Sequence, residues 1–182
     1  ILDHGKNYVD ASYFKENINK VSQVIVASQF MKEELIANDY NSDSISVLPL
    51  GIPDVQNTYQ PKKEIWPIFL FVGRFVPSKG AQVLIDALDY VQTSVSAVFI
   101  GSGRQQSDLD DLKSMLPDRH SFTFTGWQDE ETIQKWYARA TAVVVPSLWD
   151  EPFGLVGIEA MRAGKPVIGF DRGGITECPP NI

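Results

Sequence analysis

Two cations, Arg74 and Lys79, stand five positions apart in the stretch Gly73-Arg74-Phe75-Val76-Pro77-Ser78-Lys79-Gly80. An apolar run precedes this stretch and a helical pattern follows it. Cations at the carboxyl end of a strand, beside a helix N-terminus, make a site for a polyanion such as a diphosphate. The same two residues also fit the plainer description of solvated loop charges.

A second stretch, Trp149-Asp150-Glu151-Pro152-Phe153-Gly154-Leu155-Val156-Gly157-Ile158-Glu159, also follows an apolar run. Pro152 and Gly154 interrupt the chain just before a helical pattern. The first N–H groups of that helix, near Gly154, Leu155 and Val156, lack intrahelical acceptors and can hold an anion. Glu159 falls on the second turn, where a carboxylate can accept both hydroxyls of a ribose, as an acidic residue does in dinucleotide sites. Glu151 precedes the turn and can accept from sugar hydroxyls. Read without a ligand, Glu151 is an N-terminal helix charge and Glu159 a helix-surface carboxylate.

Two further loops carry weaker signals. Gly101-Ser102-Gly103-Arg104 begins like a dinucleotide fingerprint but lacks the third glycine, and a plain strand-to-helix turn explains it better. In Gly126-Trp127-Gln128 the backbone can meet a base edge, or Trp127 can pack against a sheet. Trp136 and Tyr137 lie on an apolar helical face and read as core. His120, in a polar loop, reads as solvated, and Cys178 as inert.

The elements that must position these loops alternate regularly. Apolar runs at residues 24–27, 45–50, 68–72, 97–100, 122–125, 142–145 and 167–170 read as strands. Helical stripes follow: Phe30, Met31, Leu35 and Ile36 behind a Ser28 cap; Val83, Leu84, Ala87, Leu88 and Val91; Leu109, Leu112, Met115 and Leu116; Ile133, Trp136, Tyr137 and Ala140 behind an Asp129 cap. A last helix at residues 155–163 ends at Gly164. Unalternating apolar strands between helices predict an α/β fold, a parallel sheet with helices on both faces. Ligands of such sheets bind outside the carboxyl ends of the strands. Residues 1–57 read as a remnant of a preceding domain plus a proline-bearing linker, and residues 58–182 as the ligand-binding domain.

The net charge of −7 argues against duplex binding, which needs clustered Lys and Arg. One cysteine cannot form an internal disulfide, so a cytoplasmic setting is expected. Neither histidine has a metal-ligand neighbour, so no metal is expected. Apolar stretches of about six residues fall short of the roughly 20 that span a bilayer. The start shows no signal peptide, and without an initiating Met the chain reads as a fragment of a longer protein.

Taken together, Val72-Gly73-Arg74, Lys79-Gly80, Gly126, Pro146-Ser147, Glu151-Pro152-Phe153-Gly154-Leu155, Glu159-Ala160-Met161, Gly164-Lys165-Pro166-Val167-Ile168 and Gly173-Gly174 occur in that order. This series resembles the donor-binding domain of the retaining family 4 glycosyltransferases, with Glu151 and Glu159 as their E-x7-E pair. The segments at residues 24–28 and 47–52 resemble the end of that family's N-terminal domain. The resemblance implies one Rossmann-like half of a glycosyltransferase-B fold. It implies that Gly73, Arg74 and Lys79 hold the diphosphate of a nucleoside-diphosphate sugar, and that Glu159 binds its ribose. Glu151, Phe153 and Gly154 would contact the transferred sugar, Leu155 and Val156 the phosphates, and Trp127 and Gln128 the base.

Arg74, Lys79 and Glu151 would be the catalytic residues, the two cations standing in for a metal as charge grows on the leaving diphosphate. The reaction would retain anomeric configuration. The acceptor, a glycan, a glycolipid or another hydroxyl compound, would sit on the missing N-terminal domain. This fragment alone would then be inactive while its parent, cytoplasmic or peripheral at the membrane, turns over. A non-hydrolysing sugar-nucleotide epimerase and a non-catalytic nucleotide-sugar-binding module remain open. A nicotinamide oxidoreductase lacks its glycine fingerprint after the first strand of this domain.

Overall fold

The computed structural model describes residues 17, 20–51, 64–103, 107 and 118–177. Two compact units divide the chain, Ile1–Gly51 and Ile52–Ile182. In the first, β1 (Val24–Val26) pairs in parallel with β2 (Ile45–Val47), Val24 facing Ile45. Helix α1 (Gln29–Ala37) connects them. Ser28 caps it as expected, its hydroxyl accepting from the Met31 N–H at 3.1 Å. The run expected to extend to Leu50 ends at Val47, and Leu48 and Leu50 are exposed.

The second unit holds five parallel strands: β3 (Ile68–Val72), β4 (Ser96–Ile100), β5 (Ser121–Gly126), β6 (Ala142–Val145) and β7 (Val167–Gly169). Their spatial order is β5-β4-β3-β6-β7. The described helices are α2 (Ala81–Leu88), α3 (Glu130–Arg139) and α4 (Leu155–Arg162). All pairings of this sheet are parallel, with Ile68 opposite Ser96 and Phe69 opposite Ala142. The helical stripe expected around Leu109 to Leu116, and Cys178, lie outside the described residues.

Burial on both faces explains why β3 and β6 are apolar throughout. One core layer packs α2 on Phe71, Phe99, Ala97 and Val144. The other packs α3 and α4 on Leu70, Val98 and Val143 through Tyr137 and Ala160. From β3 the chain proceeds outward to β4 and β5, then returns to place β6 on the opposite flank of β3. The crossovers that follow β3 and β6 therefore run to opposite sides of these adjacent strands, the switch point outside whose carboxyl ends such sheets bind ligands.

Two expectations need correction. Helix α2 buries Ala81, Leu84, Ile85 and Leu88, whereas Ala87 is exposed and Val83 half-buried. Val83 and Ala87 line an apolar groove with Ile168 and Phe170 instead, whereas Val91 packs against the core as expected. His120 is buried rather than solvated: only 6% is exposed, and Nε2 lies 3.0 Å from the Leu88 carbonyl and 3.1 Å from Arg119 Nε. Its polar sequence neighbours conceal that the segment tucks beneath the end of α2.

Candidate functional site

The loop after β3 is fastened to β4 by its backbone. Gly73 N–H donates to the Ile100 carbonyl at 2.9 Å, and Phe75 N–H to the Ser102 carbonyl at 3.0 Å. A Cβ on Gly101 would lie 1.9 Å from the Gly73 carbonyl oxygen, at a φ of +138°. The incomplete G-x-G is thus a close approach of two loops. Phe75 is fully buried against Phe71 and Phe124, which leaves its neighbour Arg74 outside. Among the described residues, no ion pair or hydrogen bond engages the exposed Arg74 side chain.

Arg74 and Gly73 line a cleft of about 230 Å³ with Val72, Ile100, Trp127, Gln128 and Ile133. This cleft covers the carboxyl ends of β3, β4 and β5. Trp127 does not pack against the sheet; it is 76% exposed. Gln128 is steadied by its side-chain N–H donating to the Thr125 carbonyl at 2.9 Å. Asp129 then caps α3, accepting from Thr132 N–H at 2.8 Å.

Lys79 belongs to a different cluster. It ends a single 3-10 turn, Pro77–Lys79, and Gly80 follows at a φ of +69°. A Cβ there would come within 1.9 Å of the Pro146 carbonyl oxygen, so the loops after β3 and β6 touch backbone to backbone. Leu148 N–H reinforces the contact by donating to the Ser78 carbonyl at 2.8 Å. Across this junction the Lys79 ammonium pairs with Glu151 Oε1. Ser147 Oγ donates to the same oxygen at 2.5 Å, and the Trp149 side chain helps to hold the carboxyl down. The Trp149 ring centroid lies 5.2 Å from the Lys79 nitrogen.

Glu151 is buried, and Gly174 N–H donates to its backbone carbonyl at 2.6 Å. Burial alone pushes its carboxyl up. The donors Lys79, Ser147 and Trp149, together with the ammonium charge, outweigh that and hold it below the usual carboxylate range.

Helix α4 begins after Gly154, with Phe153 buried and Ile175 packed against the glycine. The N–H groups of Leu155 and Val156 open the helix. Glu159 sits on its second turn and accepts from the Tyr137 hydroxyl at 2.8 Å, through Oε2. Burial pushes the Glu159 carboxyl up, the Tyr137 bond opposes this, and Glu130 adds to it. Tyr137 is fully buried, and its hydroxyl is driven far above its ordinary range by burial first and then by Glu159.

Residues 56–178 match the family model for glycosyl transferases group 1. The chain belongs to that family. Over 172 residues it is 34% identical to the uncharacterized glycosyltransferase MJ1607 of Methanocaldococcus jannaschii, covering 85% of this chain and 44% of the relative. It is 28% identical over 181 residues to a lipopolysaccharide 1,2-N-acetylglucosaminetransferase of Salmonella typhimurium, covering 86% and 46%. Among solved structures, Anabaena HepE in complex with UDP-glucose superposes with a TM-score of 0.74 at 27% identity, again over 86% of this chain and 46% of that one. The chain spans less than half the length of these relatives.

In this member of the group 1 family the sequence-derived residues form three groups. Gly73, Arg74, Trp127 and Gln128 share the cleft; Lys79 and Glu151 share an ion pair; Glu159 stands on α4 beside α3. Three partners escaped the reading of the sequence: Ser147 and Trp149 on Glu151, and Tyr137 on Glu159. Ser147 and Trp149 lie in the loop that directly follows β6, and that placement was the available signal. Among the described residues no three His, Cys, Asp or Glu side chains gather, and no helix is long and apolar enough to cross a membrane.

Proposed function

We propose that this chain is the donor-binding part of a retaining glycosyltransferase of the family 4 type. The donor is a nucleoside-diphosphate sugar, the acceptor a glycan, glycolipid or other hydroxyl compound. One observation carries the reading. Arg74 lines the cleft at the carboxyl ends of β3, β4 and β5 without a described partner, while Lys79, ion-paired to Glu151, and the start of α4 belong to the stretches that follow β3 and β6.

In the transfer, the bond from the anomeric carbon to the phosphate oxygen breaks. The acceptor oxygen bonds to that carbon on the face the diphosphate leaves, and the acceptor's hydroxyl proton passes to the departing phosphate oxygen. Negative charge grows on the departing oxygen, and fixed cations and helix N–H groups stabilise it more as it grows. Arg74 and Lys79 supply those cations, so the reaction runs without a metal. Glu159 accepts the ribose hydroxyls; Tyr137 occupies its Oε2, and among the described residues Oε1 has no partner. Glu151 and the backbone at Phe153 and Gly154 meet the sugar, Leu155 and Val156 the phosphates, and Trp127 and Gln128 the base. The acceptor binds the N-terminal domain of a parent protein that works in the cytoplasm or at the membrane's inner surface, and this part alone does not turn over.

The test is acceptor-dependent release of nucleoside diphosphate by the full-length parent, with several sugar nucleotides and a chelator present. NMR of the product should show the donor's anomeric configuration. Interconversion of the donor sugar without transfer would replace this reading by the epimerase. Donor binding with neither reaction would leave a binding module.

A further inference from the structure

The carboxylate of Glu151 is held more firmly than a sugar contact alone requires. Ser147 is 1% exposed, and the one carboxylate oxygen that takes the Lys79 ammonium also takes its hydroxyl. A buried serine can satisfy itself on a nearby carbonyl. Here it reaches the side chain four residues on, across the turn that leads toward Pro152. Trp149 lies over the ammonium, its ring centroid 5.2 Å from the Lys79 nitrogen, and helps to hold the Glu151 carboxyl down. The frame is rigid: Gly80 abuts Pro146 on one side, and Gly174 bonds the Glu151 backbone on the other.

We propose that Ser147 and Trp149 are positioning residues, which fix the Glu151 carboxylate against Lys79 before the donor arrives. This rests on the function proposed above and deepens it. With Oε1 committed to Ser147 and Lys79, the carboxylate cannot rotate, so the sugar meets a preset acceptor rather than a mobile side chain. Lys79 in turn is kept at the junction of the two loops, where the diphosphate needs its charge. Neither Ser147 nor Trp149 has to touch the nucleotide for this.

Among the described residues the charge that acts on Glu151 is that of Lys79 on the 3-10 turn before α2; Asp150 is its neighbour in sequence, and Arg172 Nη1 lies 4.0 Å from Asp150 Oδ1. Removing one neutral donor leaves those charges in place. A change in the pH profile of a Ser147 or Trp149 variant therefore reports on how the Glu151 carboxylate is held.

The experiment uses the full-length protein with Ser147→Ala and, separately, Trp149→Phe. The first removes the hydroxyl and the second the indole N–H, and each leaves most of the side chain's volume. Turnover at saturating donor should fall about tenfold, the loss expected of one hydrogen bond to a charged group, while affinity for nucleoside diphosphate stays within about twofold. The acid limb of the rate profile should move to higher pH, because a carboxylate with fewer donors protonates more readily. Unchanged turnover and an unmoved acid limb in folded variants would overturn the proposal. So would an equal loss of nucleoside diphosphate affinity and turnover, which indicates general damage. Trp149 is 42% exposed, so its variant decides the matter if Ser147→Ala fails to fold. Failure of the wild-type protein to transfer any sugar would instead defeat the parent reading.

Discussion

Replacing Tyr137 by Phe removes one oxygen from a fully buried ring and leaves the packing of α3 on the sheet intact. That oxygen donates to Glu159 Oε2 at 2.8 Å. A hydrogen bond to a charged group contributes about 1.5–3 kcal/mol. Glu159 is half-buried, so water recovers part of this, and a loss of about 1–2 kcal/mol is expected at neutral pH. The loss should depend on pH in a defined direction. Burial raises the folded Glu159 carboxyl above its unfolded value, so its contribution is fully present below the unfolded value and is lost as pH rises through the folded one. The Tyr137 bond opposes that rise. Without it the folded value climbs further, and the variant falls away from wild type as Glu159 ionises. Urea unfolding followed by tryptophan fluorescence, at about pH 4.5 and about pH 7.5, should show the larger difference at the higher pH. Equal destabilisation at both values, or a larger one in acid, would refute the reasoning.

Gly80→Ala should cost about 3 kcal/mol or more in chemical denaturation, because the added Cβ meets the Pro146 carbonyl and the left-handed backbone resists it. Arg74→Ala should weaken nucleoside diphosphate binding by about 1.5–3 kcal/mol in calorimetry and leave stability within about 0.5 kcal/mol, since no described residue depends on that side chain. Glu151→Gln should abolish most sugar transfer while nucleoside diphosphate binds as well or a few-fold tighter, because Lys79 no longer answers to a carboxylate. Its stability should also lose acid sensitivity: the depressed Glu151 carboxyl contributes above its unfolded value and loses that contribution as pH falls through the folded one.

The strands were the most legible part of the sequence. The apolar runs at residues 68–72 and 142–145 coincide with β3 and β6, because a strand buried on both faces needs no alternation. Caps at Ser28 and Asp129 were legible because capping is chemistry within three residues. Helix α2 was harder. Its Ala, Val, Leu and Ile residues form two overlapping stripes, and only the sheet beneath selects Ala81, Leu84, Ile85 and Leu88. The site divides the same way. Loop positions and glycine turns marked Arg74, Lys79, Glu151 and Glu159 as candidates. The Lys79–Glu151 pair joins residues 72 apart, and Tyr137 reaches Glu159 across 22, separations that no local pattern encodes. Tyr137 is core by its ring and polar by its hydroxyl, and periodicity reports only the ring.

The strand order has a consequence for how the protein is made. β3, β4 and β5 pair in the order of synthesis, but the other edge of β3 waits for β6, just before which Thr141 meets Ile68 across 73 residues. Closing so long a loop is entropically expensive and slows the docking of β6. Meanwhile Ile68–Val72 offers an unpaired apolar edge, the kind that recruits strands from other chains. A ribosome stalled before Val145 would release an aggregation-prone product, and slower translation between β5 and β6 would prolong the exposure.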